Sequence, residues 1–114
     1  MNILFKTVAA GLLVSSSVCA QQDCERPWPV EVPEVAVSKD EVLAAQKKVK
    51  QYLKDAEAYL ACNDAAQKEL PPEEATTAQT MRILTGLYNN TVGEMEVVAE
   101  QFNVLVRKYK ENNG

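Results

Sequence analysis

From Val42 onward the apolar positions recur every three or four residues: Val42, Ala45, Val49, Tyr52, Leu53, Ala56, Tyr59, Leu60, Ala66 and Leu70. Such spacing draws one apolar stripe along a helix. Ser38-Lys39-Asp40-Glu41 stands at its head as a capping box, in which the Ser side chain accepts from the Glu41 backbone and the Glu41 side chain reaches back. Pro71-Pro72 closes the stripe, because proline disfavours helical geometry in the residue before it. The first predicted helix is 39–69, about 46 Å long at 1.5 Å per residue.

After a turn at 70–73, a second helix is predicted over 73–111. Pro72-Glu73-Glu74 suits a first helical turn, with proline tolerated there and acids facing the positive end of the dipole. Thr76 with Gln79 offers an alternative start one turn later. The stripe of this helix is Met81, Leu84, Tyr88, Thr91, Val92, Met95, Val98, Ala99, Phe102, Leu105, Val106 and Tyr109. It holds a seven-residue register for four repeats, the mark of coiled-coil-like packing. Asn112-Asn113-Gly114 is expected to fray. The weak stretch is Thr85–Gly93, where Gly86 and Gly93 each cost about 1 kcal/mol relative to alanine. They lie seven apart, away from the stripe. They mark either a soft spot on a solvated face, even a break giving three helices, or a place where another backbone approaches closely.

A connection this short makes the two helices antiparallel neighbours. Folding about residue 72 sets Lys47, Lys50 and Lys54 near Glu94, Glu96 and Glu100, and Asp40 and Glu41 near Arg107 and Lys108. The pattern therefore gives an all-α fold: an antiparallel, coiled-coil-like two-helix hairpin over 38–114.

Ahead of the hairpin the pattern changes. Residues 1–20 carry one early charge, Lys6, then a short apolar run, then small residues with Val18 and Ala20 at the −3 and −1 positions of a cleavage site. This is the layout of a secretory signal, cleaved after Ala20 and too short in its apolar part for a permanent anchor. Acylation at Cys19 is the alternative, disfavoured by Val18 in front of it. The expected location is periplasmic or secreted, with no stable membrane insertion of the mature chain. Loss of Lys6 leaves 11 basic residues against 16 acids, a net charge near −5. An acidic chain with scattered cations lacks an electrostatic footprint for nucleic acid.

Residues 21–37 read as an extended proline-rich arm, CERPWPVEVPEVAV from Cys24. The mature chain keeps two cysteines, Cys24 and Cys62, and an even pair in a short exported chain implies a disulfide. From Ser38 to Cys62 there are 24 helical steps, about 36 Å. The 14 residues from Cys24 to Ser38 cover about 43 Å in the polyproline conformation, enough to run back along the first helix. The arm then acts as a strap, with Trp28, Val30, Val32, Val35 and Val37 as a third layer over the hairpin groove. An intermolecular bridge and a free, partner-binding PxP segment are the alternatives.

Chemistry is sparse. There is no histidine, which removes the commonest general base and metal ligand together. Paired cysteines leave no thiolate, and the glycines form no phosphate loop. Glu94, Glu96 and Glu100 make an acidic patch without a loop to converge oxygens on a cation. The expectation is no catalytic residue, no metal, no cofactor and no enzyme activity. Asn63 falls on the seam beside Cys62, either fixing register or joining Tyr59 in a small polar pocket. Asn89-Asn90-Thr91 matches a glycosylation acceptor inside a helical pattern and is read as chance.

The run Cys24-x-x-Pro27, Val49-Lys50-x-Tyr52, Tyr59-Leu60-x-Cys62, Tyr88-Asn89 and Phe102-Asn103-x-x-Val106-Arg107-x-Tyr109-Lys110 resembles small exported proteobacterial helical proteins of unassigned function. The resemblance implies a periplasmic, disulfide-strapped helical protein and brings no activity with it. The functional expectation is action by protein–protein interaction or self-association, as a homodimer or with a protein partner. A small-ligand carrier with a pocket between arm and hairpin is the alternative. Trp28, Tyr59, Asn63, Gly86 and Gly93 are the candidate contact residues.

Overall fold

The computed structural model describes residues 24–113 apart from 73 and 75. The expected signal at 1–20, with its cleavage after Ala20, lies outside the described residues. Among those described the chain is all-helical, with two helices and no strand: α1, Lys39–Lys68, and α2, Thr77–Asn113.

The capping box forms at the head of α1. Glu41 N donates to Ser38 Oγ at 3.2 Å, and Glu41 Oε1 accepts from Ser38 N at 3.2 Å and from Val37 N at 2.7 Å. One glutamate thus satisfies two backbone donors ahead of the first turn. At the far end Glu69 N donates to Ala65 O and Ala66 O, and Lys68 sits in the last turn beside Asp64.

α2 begins at Thr77, not at 73. The Thr77 hydroxyl donates back to Pro71 O, Thr77 N donates to Glu74 O, and Thr80 N donates to Thr76 O. These bonds use the first backbone groups in a turn, so the helix starts at the later of the two candidate sites. α2 is continuous through Thr85–Gly93, and Gly86 and Gly93 sit in it with no positive φ. It also runs past the expected end at 111 to Asn113, whose Nδ2 donates to Tyr109 O at 3.0 Å. That bond satisfies a carbonyl the helix end would otherwise leave open.

The two helices meet along a single seam. Asn63 reaches Leu84; Val49, Tyr52 and Ala56 cluster with Val98; Ala45 packs with Leu105. Residue numbers fall along α1 as they rise along α2. Thr91, Val98 and Leu105 are the buried positions of α2, each seven residues from the next, and Leu105 is 0% exposed. On α1 the buried set is Ala45, Val49, Tyr52, Ala56, Tyr59 and Asn63. The remaining stripe residues, such as Met95 and Phe102, are half-buried and pack on the clusters from the side.

The segment ahead of α1 closes the seam with fewer side chains than its composition suggests. Val30 and Val32 pack on the clusters and Ala36 is buried in one of them. Trp28 is 87% exposed, and Val35 and Val37 are exposed as well, so these three do not belong to a third layer. Alternation accounts for the two valines: Val30, Val32 and Ala36 are an even number of residues apart, and Val35 and Val37 fall on the other side of the segment. Trp28 shares the spacing of Val30 and is nonetheless turned outward.

Candidate functional site

Cys24 and Cys62 form a disulfide, with Cα atoms 5.6 Å apart. The bond fixes the leading segment to the last third of α1. Two residues on, Arg26 reaches across to α2. Its Nε donates to Thr91 Oγ1 at 2.9 Å and its Nη2 donates to Glu94 Oε2 at 2.8 Å. Thr91 is fully buried, and its own hydroxyl donates to Leu87 O at 2.8 Å, which leaves the oxygen lone pairs for the guanidinium. The segment is therefore tied to both helices within three residues, covalently to one and through a fork of N–H donors to the other.

Beneath this tie sits Tyr52, 2% exposed, whose hydroxyl has no hydrogen-bond partner; Glu94 Oε1 is buried and unpartnered too. Burial pushes the Tyr52 hydroxyl above its ordinary pKa, the nearby Glu94 carboxylate adds to the rise, and Arg26 opposes it. Tyr52 stays neutral, and the polar cluster carries one ion pair, Arg26 with Glu94.

The charge pairing expected between Lys47, Lys50 or Lys54 and Glu94, Glu96 or Glu100 does not occur among the described residues. Neither does that of Asp40 or Glu41 with Arg107 or Lys108. Glu94 is taken by Arg26, Glu100 by Arg107 on its own helix, and Glu41 by the α1 cap. An exposed cross-helix pair between two long side chains is worth only about 0–1 kcal/mol, so little is lost when these acids take other partners.

Asn63 is closed within the seam. Its Nδ2 donates to Leu84 O at 3.0 Å, with Tyr59 Oη at 3.5 Å, and its Oδ1 accepts from Gln67 Nε2 at 2.6 Å. A buried amide spending its donors and acceptor this way pins one helix to the other at one level.

Open grooves flank the leading segment, two of them near its tie to the helices. One, of about 620 Å3, is lined by Trp28, Tyr59, Asp55, Ala58 and both disulfide cysteines. The structure brings Trp28 and Tyr59 together there, while Asn63 is outside the lining. The other, of about 850 Å3, runs between the segment and α2 past Arg26, Val30, Asn90, Gly93, Glu94 and Val97. Gly86 is exposed, whereas Gly93 is half-buried because the segment passes beside it. A Cβ added at either glycine would meet nothing within 4 Å.

Around these glycines α2 carries a second row that the sequence reading missed. Ile83, Gly86, Asn90, Gly93 and Val97 follow one another at steps of three and four residues. At 100° per residue the row lies roughly 130° around the helix from the seam. Ile83 is 57% and Val97 56% exposed. The signal was in the sequence, but the glycines read there as weak points and not as members of a repeat.

Among the described residues no helix is long and apolar enough to cross a membrane, and no group of three or more His, Cys, Asp or Glu could hold a metal ion. No protein-family model, curated protein or solved structure matches the chain.

Proposed function

We propose that the protein is a non-catalytic, exported helical module, periplasmic or secreted, that acts by self-association through the outer row of α2. In this reading the chain is an antiparallel hairpin strapped by its proline-rich arm. The order of contacts along the seam supports the antiparallel pairing. The arm's length supports the strap: 14 residues lead from Cys24 to the α1 cap, while α1 covers about 36 Å between that cap and Cys62. Only extended chain spans that distance.

The observation that carries self-association is the row Ile83, Gly86, Asn90, Gly93 and Val97. Each glycine weakens the helix by about 1 kcal/mol relative to alanine. Neither needs the conformational freedom of glycine, since neither has a positive φ, and no neighbour in the chain occupies the space of a Cβ. The cost gains nothing within one chain. It is offset when a second helix packs backbone-close against the row, with Ile83 and Val97 as apolar anchors and Asn90 setting register. A second copy offers the same row, and a two-fold axis through it makes a self-complementary interface.

Light scattering on the oxidised protein across concentrations tests this. The expected mass is that of two chains. Gly86→Leu and Gly93→Leu, which keep the helix and fill the space a partner would use, are expected to return the mass of one. A single-chain mass for the unaltered protein at all concentrations refutes the reading.

The groove beside Trp28 and Tyr59 favours a second reading, a small-ligand carrier, because its volume falls within the range of ligand pockets. Mass spectrometry of small molecules retained by the native protein tests it. A Trp28→Ala, Tyr59→Ala variant retaining the same set as the unaltered protein would exclude that groove.

A further inference from the structure

The disulfide holding the arm is not sealed in the core. Cys24 and Cys62 are both half-buried, and both form part of the wall of the Trp28 groove. Trp28 stands beside them 87% exposed, an aromatic ring with almost no contact in its own chain. The groove is open to solvent, so a thiolate can approach the sulfurs without the helices parting. On the other side of the bond, what it holds in place depends on it. Among the described residues the arm from Cys24 to Ala36 makes no backbone–backbone hydrogen bond to either helix. Its remaining attachments are the partly exposed Arg26 fork, the half-buried Val30 and Val32, and the small side chain of Ala36.

We propose that Cys24–Cys62 is a thiol–disulfide exchange site for a dithiol oxidoreductase that docks on Trp28, and that its reduction releases the arm from the seam while α1 and α2 stay folded. A partner thiolate attacks one sulfur of the pair and forms a mixed disulfide with it. The other sulfur leaves as a thiolate and takes up a proton. The partner's second thiol, deprotonated, then displaces the first sulfur, which is protonated in turn. Two electrons and two protons pass from the dithiol to this chain, and the partner leaves as the disulfide. Release of the arm uncovers Val49, Tyr52 and Val98, and frees Thr91 and Glu94 from Arg26. The chemistry of the bond sets the class of partner, and the exposed indole beside it is the docking contact, as aromatic anchors are at interfaces. The exchange site shares no residue with the α2 row, and its three tests read the disulfide and the arm, not the oligomeric mass.

Three measurements on the oxidised, folded protein test the proposal. Dithiothreitol should reduce the bond under native conditions at a rate that sub-denaturing urea does not change. Reduction only in proportion to global unfolding would overturn it. Backbone 15N order parameters should drop below about 0.6 for residues 24–36 after reduction, while those of α1 and α2 remain near 0.85. An arm that stays ordered, or helices that melt with it, would overturn the release. Trp28→Ala should slow reduction by thioredoxin several-fold relative to reduction by dithiothreitol. An unchanged ratio of the two rates would overturn the docking role.

Discussion

Replacing the bonded pair, Cys24→Ser with Cys62→Ser, removes the arm's covalent fixture without leaving half of the pair to mispair. The two residues are 38 apart in sequence, so the bond closes a long loop in the unfolded chain. The chain-entropy relation for a loop of that length gives about 4 kcal/mol of stabilisation at 25 °C. Serine cannot reproduce the link, and among the described residues the arm has no backbone pairing of its own to offset the loss. A domain of this size has on the order of 5–14 kcal/mol in total. The variant should therefore remain folded but lose a large share of its stability. Urea unfolding followed by far-ultraviolet circular dichroism reads the change directly. With an m-value of about 1–3 kcal/mol/M, the midpoint should fall by roughly 1.5–4 M. A loss below about 1 kcal/mol with an unchanged m-value would refute the reasoning, since the bond would then constrain neither the unfolded chain nor the arm.

Three further outcomes follow from the packing. Leu105→Ala, at the fully buried heptad position of α2, should cost about 2–5 kcal/mol in urea unfolding, while Leu43→Ala on an exposed face should cost little. Tyr52→Phe removes a buried hydroxyl that has no partner and should raise stability by about 1 kcal/mol. Because the folded-state pKa of Tyr52 is raised, the unfolded chain loses this proton first as pH climbs. Stability should therefore decline above about pH 10, the ordinary tyrosine value, and urea titrations at pH 9 to 11 should show a shallower decline in Tyr52→Phe. Gly86→Ala with Gly93→Ala should stabilise the single chain by about 2 kcal/mol and yet weaken self-association. Gains in both stability and association would contradict the role given to the row.

The parts of this fold that were legible in the sequence are those decided locally or by simple distances along the chain. Ser38 and Glu41 are three apart, so their capping box is visible in the chain itself. Pro71-Pro72 stops a helix wherever it stands. Cys24 and Cys62 are an even pair, and the reach of the residues ahead of α1 against the rise of the helix lets them meet. Asn63 was recognisable as a seam residue because its register is that of Val49 and Ala56. The parts that stayed hidden depend on competition between distant groups. Arg26 bonds to Thr91 and Glu94, 65 and 68 residues away, and nothing in the sequence around Arg26 marks it as the partner of either. Its capture of Glu94 removed one of the acids assigned to the α1 lysines. Trp28, Val35 and Val37 looked like core by composition, but only the path of the arm decides which side chains turn inward. The row on α2 was written in the spacing of five residues, two of which carry no side chain and so left no trace in a hydrophobic pattern.

Whether the arm is bound within its own chain is best tested on native protein that has never met a reductant. Alkylation followed by non-reducing peptide mapping should find neither Cys24 nor Cys62 alkylated and one linked pair, the peptide of Cys24 joined to the peptide of Cys62, in a particle whose denatured mass is that of one chain. Free, alkylated thiols at both positions, or a covalent mass of two chains, would contradict the proposed strapped hairpin.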